Sequence, residues 1–273
     1  AVADYTNTLS PTMIFTARAG FARTLYVYSN QGLGFVPSSL GLPKYIDLAG
    51  DYLRFPVLSA SGYVGLGHGD HRRNAFMSYT WLGALTKISG RHTIKAGFET
   101  RLIRTNVFES SRSAGTFDFS TSWTRGPDPQ RATATAGNGM ASLLLGTAGG
   151  SLILNYKNDA TQSFYYAAYV QDDWRITNKL SLSVGLRWDM DTPRTERYDR
   201  TNCFDQSVQS PLSSVVPGLQ GGLVFLGRNG VPRTQFPYDW NNFGPRLGIA
   251  YQLNSRTGIR AGFGFLYGAS LQA

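Results

Sequence analysis

Three groups of residues in this sequence could carry chemistry. The first is "HGDH", which puts His68, Asp70 and His71 within four positions. Two imidazoles and a carboxylate are donors that a divalent cation accepts. The stretch sits among glycines with no further donor beside it. It is read as a surface loop, and no metal is expected. The second group is Asp172, Asp173 and Asp189. Paired carboxylates serve as general acid and base. Here each lies close to Arg175 or Arg187 in strand-patterned sequence, so structural charge pairs are expected and no residue is assigned to catalysis. The third group is aromatic. Trp81, Trp174 and Trp188 could stack on a planar ligand, but each falls beside a turn or strand end on an apolar face. "GLGHG" at 65–69 lacks the Lys-Ser/Thr of a phosphate loop. No cofactor is expected, and the chain is not read as an enzyme.

The elements that must position these residues are strands. In "LSLSVGLRWDM" (180–190), Leu180, Leu182, Val184, Leu186, Trp188 and Met190 alternate with Ser181, Ser183, Gly185, Arg187 and Asp189. Successive strand side chains point to opposite faces, so one face is wholly apolar. The same period recurs in 12–28, 75–88, 92–104, 160–176, 245–253 and 257–268. Within 92–104, for example, Ile94, Ala96, Phe98 and Leu102 stand opposite Lys95, Gly97, Glu99 and Arg101. Asp172 breaks the rule by falling on the apolar side.

An apolar face can turn into a soluble core or into lipid. Composition narrows the choice. Charged residues make up 16% of the 273 and aromatics 13%, against roughly 25% charged in an ordinary soluble domain. No apolar run reaches the roughly 18 residues of a membrane helix, which excludes a helical membrane protein and leaves a transmembrane barrel open. The net charge of +9 is scattered, so no nucleic-acid partner is expected. Cys203, the sole cysteine, is placed in a polar loop without a role. "AVADYTNTLS" has neither the basic nor the apolar region of a signal peptide.

The connections sort by length. "LSPT" (9–12), "ISGRH" (88–92), "ITNK" (176–179) and "LNSRT" (253–257) are short; 29–72, 108–159 and 191–242 are long. Short and long alternate, as in up-and-down hairpins with short periplasmic turns and long external loops. The expected fold is all-β: an antiparallel up-and-down transmembrane β-barrel segment of about eight strands. Inside the long loops, "GTFDFS" (115–120) suggests a further strand and "GNGMASLLLG" (137–146) a short helix, while "LPKY", "GPDP" and "GVPRTQFPYD" read as irregular.

At "YVQDDWRITNKLSLSVGLRWD" (169–189) the sequence resembles the barrel of TonB-dependent outer-membrane receptors. The likeness rests on Tyr169, Gln171, Asp172, Asp173, Trp174 and Arg175, then Gly185, Arg187, Trp188 and Asp189. "FGPRLGIAYQLNSRTGIRAGFGFLYG" (243–268) matches a Pro-Arg-x-Gly-x-x-Tyr strand and the hairpin after it. "SGRHTIKAGFETR", "GTFDFS" and "GNGMASLLLG" are similar to the Oar-like branch. The resemblance implies residues 1–273 as part of a larger barrel in the bacterial outer membrane, with no plug or regulatory-like domain in this stretch. It implies a plug, the TonB energy-coupling complex and outer-membrane lipid as partners, and uptake of an unidentified ligand. Arg18, Lys95, Glu99, Arg101, Gln171, Asp173, Arg187, Asp189, Arg246 and Arg260 would face the lumen. Trp81, Trp174, Trp188, Tyr251 and Tyr267 would form the aromatic girdles. The competing reading is a soluble secreted β-sandwich or carbohydrate-binding protein, whose apolar faces would meet one another.

Overall fold

A computed structural model describes residues 1–29, 31–50, 52–68, 70–128, 136–152 and 157–268. Fourteen strands follow in chain order: β1 (Val2–Ser10), β2 (Met13–Tyr28), β3 (Val57–Ala60), β4 (Asp70–Ser89), β5 (His92–Ser111), β6 (Thr116–Phe119), β7 (Gly149–Ser151), β8 (Lys157–Arg175), β9 (Leu180–Asp191), β10 (Thr195–Glu196), β11 (Asn202–Gln209), β12 (Gln220–Phe225), β13 (Phe243–Asn254) and β14 (Thr257–Gly264). The main sheet runs β1-β2-β4-β5-β8-β9-β13-β14, with β10 added against β8. This is the antiparallel, up-and-down order expected from the loop lengths.

Local chemistry makes the short turns. Gly90 takes φ 59° between β4 and β5, a left-handed conformation that glycine adopts without a Cβ penalty. The Thr177 hydroxyl accepts from the amides of Lys179 (3.1 Å) and Leu180 (3.0 Å) and closes the β8–β9 turn. The Asn254 side chain accepts from the Arg256 amide at 2.9 Å and does the same between β13 and β14.

Register then aligns the faces. Leu186 lies between Val170 on β8 and Pro245 on β13; Leu182 lies between Trp174 and Ile249. On the other face Gly185 lies between Gln171 and Arg246, and Ser183 between Asp173 and Gly248. A one-residue slip would mix the two faces. The apolar face carries no second layer among the described residues: Val184 is 47% exposed, Leu186 44%, Leu247 53% and Phe263 65%. A soluble sandwich would cover these residues.

The chain divides into two compact units, residues 1–24, 76–105 and 160–273, and residues 25–75 and 106–159. The second contains the three-stranded sheet β3-β6-β7 and the short helices α1 (Tyr45–Ala49) and α2 (Gly139–Leu144). β6 and α2 fall where "GTFDFS" and "GNGMASLLLG" placed them. Asn138 caps α2 by accepting from the amides of Met140 and Ala141. Arg54 is 1% exposed and donates to Ser113 Oγ at 2.9 Å and to Ser110.

Three expectations are corrected. Cys203 lies within β11, opposite Val224, and not in a loop. The last strand stops at Gly264, so Tyr267 lies beyond it. Pro245, one step past the Arg246–Gly264 pair, accepts from the Phe265 amide at 3.0 Å. It has no N–H to return a bond, and the ladder ends. The 191–242 connection also holds a two-stranded sheet, β11-β12, that alternation did not reveal.

Candidate functional site

Seven of the ten lumen candidates are drawn together on the polar face of β5, β8 and β9. Close to the turns, Lys95 Nζ lies 3.6 Å from Asp173. Asp173 also accepts from Ser183 Oγ (2.6 Å) and Gln171 Nε2 (3.0 Å). Further along, Arg187 Nε donates to both oxygens of Asp189, at 3.0 and 3.1 Å. Arg187 Nη2 donates to the Tyr165 hydroxyl at 2.8 Å, and that hydroxyl donates to Asp189. Glu99 lies 4.0 Å from Arg187 and 2.5 Å from Arg101. The Arg101 guanidinium sits over the Tyr165 ring, 5.1 Å from its centre. Asp189, Glu99 and Arg187 are 14%, 21% and 22% exposed.

Gly97 separates the two groups. A Cβ there would meet the Tyr169 ring at 2.5 Å, so glycine lets the tyrosine lie flat against β5. The glycine before a bulky residue in "KAGFE" has its reason in that contact. Tyr165, Tyr169 and Ser183 were missed as site residues, although their alternation with Gln171 and Asp173 had already put both tyrosines on this face.

The other three candidates stand apart. Arg18 pairs with Asp4 across the β1–β2 hairpin. Arg246 and Arg260 share the polar face of β13 and β14, opposite Gly185 and Ala250 respectively. Neither has a carboxylate in ion-pair range among the described residues.

Asp172 keeps its place on the apolar face, opposite Val184. Its Oδ2 lies 2.6 Å from His92 Nδ1, and the His92 ring stacks on Trp174 at 5.2 Å. A charge that alternation could not explain is thus paired beside the turn. Among the described residues no three His, Cys, Asp or Glu side chains converge on a metal position. His68 Nε2 meets the Tyr28 hydroxyl at 3.0 Å, and His71 packs against the Tyr52 and Phe108 rings. The side chain of Asp70 lies outside what is described.

The apolar face also carries a cleft of about 760 Å³, lined by Phe98 of β5, Phe164 and Tyr166 of β8, and Trp188 and Met190 of β9. The loop before β13 folds Tyr238 and Trp240 over it. Trp240 stacks on Trp188 at 6.2 Å, and Trp188 Nε1 donates to the Trp240 carbonyl at 2.9 Å. At one end the lining turns polar, with Gln162, Thr192, Thr195 and Arg233.

A model of the outer membrane beta barrel domain matches residues 1–273. The chain belongs to this family. Its place is the bacterial outer membrane. Among solved structures it is similar to the ferric-catecholate import receptor Fiu of E. coli K12 in its open form, at 9% identity and a TM-score of 0.39. The alignment covers 96% of this chain and 34% of that one, so the chain spans about a third of that receptor. Comparison with curated proteins finds no match. No helix among the described residues is long and apolar enough to cross a membrane.

Beyond the β9 wall segment the loop is rooted by Glu196, which is 4% exposed. Its carboxylate accepts from the amides of Ala160 (3.2 Å), Tyr198 (2.8 Å) and Arg200 (3.0 Å) and from Arg200 Nη2 (3.1 Å). Burial raises its pKa, but the Arg200 and amide bonds outweigh burial and hold it below the ordinary 4.5. A carboxyl depressed in the folded state stabilises fully above its unfolded pKa. That contribution fades as pH falls below about 4.5 towards the folded value. Glu196→Gln is therefore expected to loosen the root at pH 7, speeding tryptic cleavage after Arg197 and Arg200 several-fold. With an acid-active protease, the difference between variant and wild type shrinks below pH about 4.5.

Proposed function

We propose that residues 1–273 form part of the wall of a larger, TonB-dependent receptor barrel of the Oar-like branch, which takes up a ligand at the expense of inner-membrane energy. The polar face lines the lumen and meets a plug; the apolar face meets lipid. The observation that carries this reading is the charged ladder across β5, β8 and β9, aligned residue by residue on one face. Charge costs roughly 2–4 kcal/mol when a cation is placed on the lipid face at mid-depth, so a ladder of this density belongs inside. Lys95, Glu99, Arg101, Gln171, Asp173, Arg187 and Asp189 are assigned to hold water and plug side chains, with Arg18, Arg246 and Arg260 on the same inner surface. The role is structural and electrostatic, not catalytic.

The girdle residues fit the same orientation. Trp174 adjoins the 176–179 turn, and Tyr251 lies opposite Leu180 just past it. Trp188 stands eight residues beyond Leu180. At about 3.3 Å per residue and a tilt near 40°, eight residues rise roughly 20 Å, close to the height of the apolar band of such a barrel. Trp174 and Tyr251 then mark the periplasmic interface, and Trp81 and Trp188 the outer one. Tyr267 adds to the outer belt from beyond its strand.

Photo-reactive side chains placed at Ser181 and Leu186 test the orientation in living cells. Ser181 is expected to crosslink to protein within the same receptor, and Leu186 to lipid. Lipid crosslinks at both sites would rule out a plugged lumen behind the polar face.

A further inference from the structure

We propose that the aromatic cleft on the apolar face holds one acyl chain of a phosphorylated outer-leaflet lipid, with the lipid phosphate on Arg233. The inference rests on the outward orientation of that face, which the Leu186 crosslink tests separately.

A plain barrel wall gives lipid only shallow grooves between side chains. Here the loop before β13 leaves the rim and lays Trp240 against Trp188, which converts wall into a walled cleft of about 760 Å³. That is within the roughly 300–1,000 Å³ usual for a site that encloses most of a small ligand. The Trp188 to Trp240 hydrogen bond fixes the flap. The polarity of the cleft runs one way. Its β8 side passes from Tyr166 and Phe164 to Gln162, away from the periplasmic turn. The apolar part therefore lies towards the membrane centre and the polar end towards the loops. That is the polarity of an amphiphile standing in the outer leaflet.

The polar end carries the matching charge. Arg233 Nε donates to Asp199 at 2.7 Å and Nη2 to the Glu196 carbonyl at 2.7 Å. These two anchors use two of its five N–H donors, and the side chain remains about half exposed. A guanidinium so held is oriented for a phosphate and costs little further ordering. A second cation stands on the same face of β5, outside the cleft lining. Contacts between β5 and β8 step in opposite directions from Lys95–Asp173 through Gly97–Tyr169 to Arg101–Tyr165. Continued, that ladder brings Arg104 level with Gln162. Arg104 sits over the Tyr79 ring at 5.9 Å and has no carboxylate in ion-pair range among the described residues. A peptide or a neutral glycan would satisfy the aromatic surface without using Arg233. A phosphorylated lipid uses both parts.

The test extracts the protein from its own outer membrane in mild detergent and counts bound lipid by native mass spectrometry. Diphosphorylated lipid A, its dephosphorylated form and phosphatidylcholine are then added back as probes. Wild type is expected to bind diphosphorylated lipid A at a saturable site. Arg233→Gln is expected to weaken that binding roughly tenfold and to leave the dephosphorylated form unaffected, while Arg233→Lys recovers part of the loss. Trp240→Ala should weaken both lipid A forms alike, because it opens the cleft. Equal binding of all three lipids, or Arg233→Gln binding like wild type in a protein that keeps its folded gel mobility, would overturn the proposal.

Discussion

Replacing Arg187 with alanine is expected to lower the stability of the β5-β8-β9 wall by about 2–4 kcal/mol, the largest loss available from a single polar side chain here. Arg187 is the hub of the polar-face ladder. It holds both oxygens of Asp189, supports the Tyr165 hydroxyl and lies at 4.0 Å from Glu99. Without it, Asp189 at 14% exposure retains the Tyr165 hydroxyl as its only side-chain partner among those described. An unpaired buried carboxylate costs more than the pair contributed, because desolvation of the remaining charge is no longer offset. The neighbouring pairs define the scale. Arg101 is 47% exposed, and its pairing with Glu99 is screened accordingly, so Arg101→Ala should cost no more than about 1 kcal/mol. Arg187→Lys keeps the charge but loses the fork that binds both Asp189 oxygens and should fall between the two. The check is the urea midpoint of refolded protein in detergent, read by gel mobility. A cycle of Arg187→Ala and Asp189→Ala isolates the pair. Strictly additive losses would mean that solvent in the lumen already screens the ladder.

The distribution of what the sequence revealed follows from what alternation can report. Period two names faces, and the faces of β8, β9, β13 and β14 came out correctly because register aligns them, with a shift only beside the β13–β14 turn, between Gln252 and Asn254. It cannot name the partners on a face. Lys95 and Asp173 are 78 positions apart, and only the β5–β8 pairing brings them to 3.6 Å. Short elements carry too few residues to show a period. β3 has four residues, β7 is Gly-Gly-Ser, and β3 pairs in parallel with β6 from far along the chain. Strand length is likewise a backbone property. β4 begins at Asp70 and β5 runs to Ser111, past the point where side chains stop alternating, because backbone hydrogen bonding does not depend on which side chains are apolar. Asp172, which broke the pattern on β8, is paired with His92. The cleft was out of reach because its flap, "FPYDW", has turn chemistry and no period. Only the fold sets Trp240 on Trp188.

Leu186→Arg tests the other face and is expected to cost about 2–4 kcal/mol in a bilayer, the depth-dependent penalty of a cation on the lipid side of a barrel. Leu186 suits the test because both of its cross-strand neighbours, Val170 and Pro245, lack any charge that could pair with the new arginine. Val184 would be a poorer choice, since Asp172 stands opposite and would partly neutralise a cation. The comparison is Ser181→Glu, five residues away on the polar face. Ser181 lies opposite Arg175, and a glutamate there gains an ion pair, so stability should stay within about 0.5 kcal/mol of wild type. Depth gives a second handle. Trp188→Arg, two residues nearer the outer interface, should cost less than Leu186→Arg in its charge component, because the penalty falls to roughly 0–1 kcal/mol at the interface. Trp188→Leu then serves to subtract the lost stacking on Trp240. A soluble β-protein would have no such gradient. Its core positions would penalise arginine alike at every height of the sheet. Folding the variants into bilayers of two thicknesses separates the cases: the Leu186→Arg cost should rise in the thicker bilayer, whereas the Ser181→Glu value should not move. A Leu186→Arg penalty that is the same in both bilayers would place that face against protein and not lipid.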